Sequence, residues 1–233
     1  MENKSKFYSG LCIMAGLIIL GAMFPVTARV FKSFDRTVNV KGLCEREVAA
    51  DKVIWPVVLK VSGNDIDALY RDVNRQNETV RQFLLAGGIK EEEISLSITS
   101  SDKYTLEYSN DRAYRYILTS VVTVCTENVD AVVALRSHKS DLFAKGIMIV
   151  EDDWNNQTIF SFEGLNDIKP EMIEEATRNA RASAVKFAED SGSHLGKIKD
   201  ASQGTFTITD RDANTPYIKK VRVVTSVTYY LAR

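Results

Sequence analysis

The sequence predicts an α+β fold, ββα-ββα-ββα-ββ, preceded by one apolar N-terminal helix. Three observations predict it. Runs rich in β-branched residues come in pairs, segments with apolar residues at helical spacing follow the first three pairs, and glycine stands where each of those segments must stop.

The apolar helix comes first. Between Lys6 and Arg29 every residue is uncharged, in the run FYSGLCIMAGLIILGAMFPVTA. A hydrocarbon core takes about 20 such residues to cross. Two readings stand side by side. The run is a retained membrane anchor, or it is a signal peptide. In the second reading Lys4 and Lys6 are its charged start, Leu11–Phe24 its apolar stretch, and Val26-Thr27-Ala28 the small residues before a cut after Ala28. Lys4 and Lys6 nearly balance Arg29, Lys32 and Arg36 across the run, so charge does not fix orientation; export of the C-terminal part is the expectation. Residues 1–34 are thus the anchor or signal segment and 35–233 one α+β domain.

The first strand pair is read at 36–47 and 52–63, with Pro56 suggesting an edge strand or a bulge in the second. A helix follows from Asp65 to Ala86, its face formed by Ile66, Leu69, Val73, Val80, Phe83 and Leu84. The second pair is read at 93–109 and 112–127, and a helix at 129–144. A third pair at 147–152 and 157–163 leads to a helix at 170–190, with Pro170 in its first turn and an alanine-rich stripe along it. Strands at 197–209 and 217–231 close the chain.

LLAGGI at 84–89, LFAKGI at 142–147 and GSHLGKI at 192–198 share one recipe, glycine at a helix end before a strand. The last contains Gly192, Gly196 and Lys197, nearly a phosphate loop. A phosphate loop, however, runs strand to helix and seats its anion on a helix N-terminus. These glycines follow a helix, whose C-terminus repels phosphate. Gly42, Gly87, Gly88, Gly146, Gly192 and Gly196 are therefore read as structural turn glycines, without chemistry.

Little else points to a reaction. The 233 residues are 45% hydrophobic and 26% charged with net charge -1, a globular composition that disfavours a nucleic-acid partner. His138, with Ser137, Ser140 and Asp141 nearby, has the letters of a catalytic triad but not the spacing, since neighbours on a helix face apart. His194 reads as a turn residue. No zinc spacing occurs, and EDDWNNQ at 151–157 lacks a calcium-loop frame. No catalytic, cofactor-binding or metal-binding residue is assigned, and the chain is expected not to be an enzyme. Cys44 and Cys125 are read as a disulfide or as two separate thiols. Cys12 is not a convincing lipid-attachment site.

Three stretches carry a family resemblance. VNVKGLCEREVAADKVIWPVVLKVSG looks like the opening of a SIMPL domain, with Val40, Gly42 and Asp51 in matching places and Ala50 where proline is common. VRQFLLAGGIKEEEISLS resembles the family's helix ending in Leu-x-x-x-Gly-Ile, and EEATRNARASAVKFAEDSGSHLGKIKD its Ala/Arg-rich helix, with Gly192, Leu195 and Gly196 matching. The likeness runs in order over about 36–233. It implies a bacterial periplasmic or cell-envelope protein without established catalytic residues. Relatives include periplasmic immunogenic proteins that form ring-like or channel-like oligomers, members linked to oxidative stress tolerance, and animal kinase adaptors. The expectation is a non-enzymatic envelope protein, held at the inner membrane by its N-terminal helix or free in the periplasm after cleavage. It would act as a homo-oligomer or through a protein or small-molecule partner. The alternative is a small-molecule or peptide binding module using Trp55, Tyr104, Tyr108, Tyr114 and Tyr116. A third class, a hydrolase built on Asp51 or the 151–153 carboxylates, needs two of them facing each other in one cleft.

Overall fold

A computed structural model describes residues 14–21, 36–103, 113–151 and 153–232. Residues 14–21 form a helical segment, α1. The rest of the expected anchor, and Cys12 with it, lies outside the described residues. Among those described, no helix is long and apolar enough to cross a membrane.

The elements that follow are β1 (Thr37–Ala49), β2 (Lys52–Gly63), α2 (Ile66–Ala86), β3 (Ile94–Asp102), β4 (Tyr116–Thr126), α3 (Val129–Ser137), α4 (Ser140–Ala144), β5 (Ile149–Val150), β6 (Ile159–Ser161), α5 (Leu165–Asp190), β7 (His194–Gln203), β8 (Thr207–Asp210) and β9 (Ile218–Ala232). They build two antiparallel sheets. One has the order β1-β9-β7 with β8 also on β9; the other has β3-β4-β2-β5 with β6 also on β2.

The mixed α+β class agrees with the expectation, but the regular ββα-ββα-ββα-ββ arrangement does not form. β1 and β2 are consecutive yet belong to different sheets, because the amides between them bond apart: Ala50 N–H donates to Tyr217 and Asp51 N–H to Ser161. The segment read as one helix over 129–144 is two. Ser137 Oγ and His138 Nδ1 both crowd the Ala134 carbonyl, at 2.6 and 2.9 Å, and the helix turns off at His138. The helix read as beginning at Pro170 begins at Leu165, so the proline lies inside it. Three strands rather than two follow it.

The chain divides into two compact units. The first comprises residues 1–46, 168–207 and 222–233; the second comprises 47–167 and 208–221. In the first, α5 buries Met172, Ala176, Ala180, Ala184 and Ala188, a ridge with a residue at every fourth position. Small side chains let it approach the strands closely. Ala180 and Ala184 pack with Val38, Val227 and Tyr229.

The second unit's core gathers Val53, Trp55, Val57 and Leu59 of β2 with Val122 and Val124 of β4, under Val80 and Leu84 of α2 and Val132 and Leu135 of α3. Asp65 caps α2 by accepting the Asp67 and Ala68 amides. Pro56 is neither on an edge strand nor at a bulge. It sits within β2 beside β4, opposite Thr123, and on the other flank it lies between the residues paired with β6 (52–54) and those paired with β5 (58–59). A residue without an amide hydrogen thus occupies the gap between the two ladders.

Candidate functional site

The stretch SGSHLGKIKD is a helix end. Gly192 adopts φ 62°, its amide donates to Glu189 and that of Ser193 to Ala188. The same pair of bonds recurs at Gly88 (φ 89°), with Ile89 donating to Leu84, and at Gly146 (φ 76°), with Ile147 donating to Leu142. All three are Schellman closures, and in each the residues at the two ends of the longer bond are buried. Helix carbonyls are the groups being satisfied, so these joints offer no anion site.

Gly42, Gly87 and Gly196 are not positive-φ turns. Gly42 lies in β1, where a Cβ would stand 1.8 Å from the Ala176 carbonyl oxygen. One on Gly87 would meet the Leu135 side chain at 2.3 Å, and one on Gly196, in β7, the Tyr230 carbonyl at 2.9 Å. They are glycines of close approach.

The letters of the candidate triad do not assemble. His138 Nδ1 lies 2.9 Å from the Ala134 carbonyl, its contact with Ser137 is between chain neighbours, and Ser137 Oγ itself donates to Ala134. His194 is exposed at the start of β7. The carboxylates are engaged separately. Asp51 accepts the Glu163 amide at 2.8 Å and the Gly164 amide at 2.7 Å, fastening the chain just before α5. Asp153 accepts from Lys60 at 3.1 Å and from the Asn155 amide, and these bonds hold its carboxyl below the usual range. Among the described residues no group of three His, Cys, Asp or Glu side chains is placed to hold a metal ion.

Cys44 and Cys125 are free thiols, the first buried and the second exposed. Burial pushes the Cys44 thiol up, and the Glu175 carboxylate adds to it. Of the aromatic set, Trp55 is core, Tyr116 packs beside Leu69, Val73 and Leu118, and Tyr114 is exposed. Tyr104 and Tyr108 lie outside the described residues. A shallow concavity of about 410 Å³ at the α4–β5 joint is lined by Phe143, Gly146, Ile147, Met148 and Ile149, none of them titratable.

Sheet edges are the more informative feature. Unpaired edge strands invite strand addition, and proteins protect them by covering, bulging, charging or shortening them. Among the described residues, β1, β7, β5 and β6 each carry such a device, and β8 is only four residues long. β1 is covered by α5: Asn179 Nδ2 donates to the Leu43 carbonyl at 2.9 Å, and Arg46 bridges to Glu171. β7 carries exposed Lys197 and Lys199, and its register on β9 shifts twice. β5 and β6 span only two and three residues.

β3 has none of these devices. It pairs with β4 from Ile94↔Val124 to Asp102↔Tyr116 without a register shift, and its sequence ISLSITSSD is uncharged up to Asp102 and free of proline and glycine. Among the described residues no strand lies along its other side. Leu96 is 54% exposed there, although it shares the helix-facing side of the sheet with the buried Val122 opposite it.

Sequence reasoning did not single out β3. It also missed the buried Asn77, whose Oδ1 accepts from Ser120 at 2.8 Å. The signal was present, since position 77 continues the spacing of Leu69, Val73, Val80 and Leu84.

The SIMPL family model, described as a protein of unknown function (DUF541), matches residues 38–229. No curated protein matches the chain.

Proposed function

Because the chain belongs to the SIMPL family, we propose that it is a non-enzymatic protein of the bacterial cell envelope that acts by associating through a β-sheet edge. It resides in the periplasm, held at the inner membrane by the apolar run before Arg29, and contributes to envelope or oxidative stress tolerance. It needs no cofactor or metal. The observation that carries the reading is β3, a regular, uncharged outer strand with no strand along its other side among the described residues, where the other outer strands are covered, bulged, charged or short. The fixed engagement of the candidate catalytic groups supports the absence of catalysis: Asp51 binds backbone amides, Asp153 binds Lys60, and His138 lies against Ala134.

Fractionation of cells making the full chain, followed by native mass measurement of the fraction that carries it, tests the reading. The expected result is a full-length species in the inner-membrane fraction, larger than one chain. A species that stays monomeric at every concentration overturns the association, and recovery from the cytosol overturns the location.

A further inference from the structure

We infer that the groove between β3 and α2 takes an extended segment of another protein, added to β3 as a further strand, with a glutamine whose carbonyl accepts a hydrogen bond from Asn77. The inference rests on the association reading above and names the partner's chemistry. In such additions the main-chain bonds supply affinity, and the side chains on one face of the added strand supply specificity.

Asn77 is the selecting feature. It is only 6% exposed, its Oδ1 accepts from Ser120, and its Nδ2 has no hydrogen-bond partner among the described residues. A buried donor left unpaired destabilises the chain that carries it, and a partner that brings an acceptor recovers the loss.

Asn77 belongs to the flank of α2 on the β3 side. Residues 70, 77 and 81 recur along that flank at helical spacing. Arg81 there donates to the Glu91 carboxylate, just ahead of β3, at 2.6 Å. The opposite flank carries Phe83 and Gly87, which meet the core and Leu135 of α3. Ser120, the partner of Asn77, is the β4 residue paired with Ile98. Asn77 thus stands level with Ile98. The exposed Leu96 follows on the same face of the sheet, and the exposed Tyr70 stands on the same flank of the helix.

These positions define the occupant. An added strand puts every second side chain on the helix-facing side. The one opposite Leu96 is apolar, covering a side chain that is half exposed in the single chain. The one opposite Ile98 reaches Asn77 from a strand further out, which takes a long side chain ending in a carbonyl oxygen. Glu91, Glu92 and Glu93 precede β3 and Asp102 ends it. The acceptor is therefore the neutral amide of glutamine rather than a carboxylate, and basic residues suit both ends of the segment. β3 has no glutamine and carries these acidic ends itself, so a second copy of β3 does not meet the description.

The test uses the full chain in a mild detergent and the fluorescein-labelled peptide KVTQTVTVK. Antiparallel to β3, this peptide sets its glutamine opposite Ile98 and a valine opposite Leu96. A second peptide, KVTLTVTVK, replaces the glutamine with leucine. Fluorescence anisotropy is expected to show saturable binding of the first peptide, and binding of the second about tenfold or more weaker, because it leaves Asn77 unpaired. Leu96→Lys puts an inward charge on the edge and should weaken the first peptide at least about tenfold. Asn77→Leu should remove the preference between the two peptides, whereas a purely structural role would weaken both alike. Both variants are expected to keep the far-ultraviolet circular dichroism of the parent. Equal affinity of the parent for the two peptides overturns the role of Asn77, and binding that survives Leu96→Lys overturns the groove. Absence of binding by either peptide overturns this inference. The association reading then stands where the chain recovered from cells is still larger than one chain, and falls too where that chain is monomeric.

Discussion

A Cβ on Gly42 would lie 1.8 Å from the Ala176 carbonyl oxygen, whereas one on Gly192 would meet nothing within 4 Å but would sit on a backbone of φ 62°. The first glycine is required by space and the second by conformation, so their substitutions should behave differently. Gly42→Ala is expected to cost about 3 kcal/mol or more, because β1 and α5 must separate. Gly192→Ala should cost about 1 kcal/mol. Gly192→Asn should recover most of that, since asparagine tolerates the left-handed region, while Gly42→Asn should be no better than alanine. Urea midpoints of the four variants check this, and equal losses at Gly42 and Gly192 would contradict the close approach. The difference also separates what could be read from sequence at this scale. A Schellman closure is complete within six residues, so LLAGGI and LFAKGI announce themselves, and the third closure, from Ala188 to Ser193, is marked by Gly192. The reason for Gly42 is the carbonyl of Ala176, far along the chain, and no local pattern records it.

Individual strands and helices were legible wherever one face is buried throughout. α2 and β2 lie within a residue of their expected limits because Leu69, Val73, Val80 and Leu84, and Val53, Trp55, Val57 and Leu59, keep strict periods. Partnership was not legible. β1 and β2 read as a pair because they are consecutive, but pairing follows the hydrogen bonds of Ala50 and Asp51 to Tyr217 and Ser161. The break between β5 and β6 is likewise legible only on their partner, where they pair with β2 on either side of Pro56. One alternation does make a direct prediction. Cys44 occupies a buried position of β1 and Cys125 an exposed position of β4. Iodoacetamide labelling followed by peptide mapping should modify Cys125 readily and Cys44 at least about a hundredfold more slowly until denaturant is added. Comparable rates would place Cys44 outside the core.

For the molecule as a whole, acid is the informative perturbation, because its depressed carboxyls lie at distinct joints of the chain. The Thr215 hydroxyl, Arg211 and the Asn214 amide lower Asp212 to about 2 in the turn before β9. The Lys90 amide and the Thr126 hydroxyl lower Glu93 just ahead of β3, and Lys60 lowers Asp153. A carboxyl whose folded value lies below its unfolded one contributes stability that is complete above about pH 4 and is lost as the pH falls towards 2. The melting temperature should therefore hold from neutrality to about pH 5 and decline between about pH 4 and 2. Asp212→Asn should flatten part of that decline, and an unchanged acid profile in this variant would show that the turn's hydrogen bonds do not stabilise the fold.

Pro56 has a further effect, on how far such a sheet can grow. Indefinite polymerisation by strand addition needs every subunit to offer two competent ends, one that is taken up and one that takes up the next. Here one end is the uninterrupted ladder partner β3. The other is a pair of fragments parted at a residue that cannot donate, with Lys52 and Lys60 bridging to Glu163 and Asp153 beside them. Two sheets joined through β3 would present only those parted fragments at their outer ends, so the proline works against growth of this sheet into a fibre.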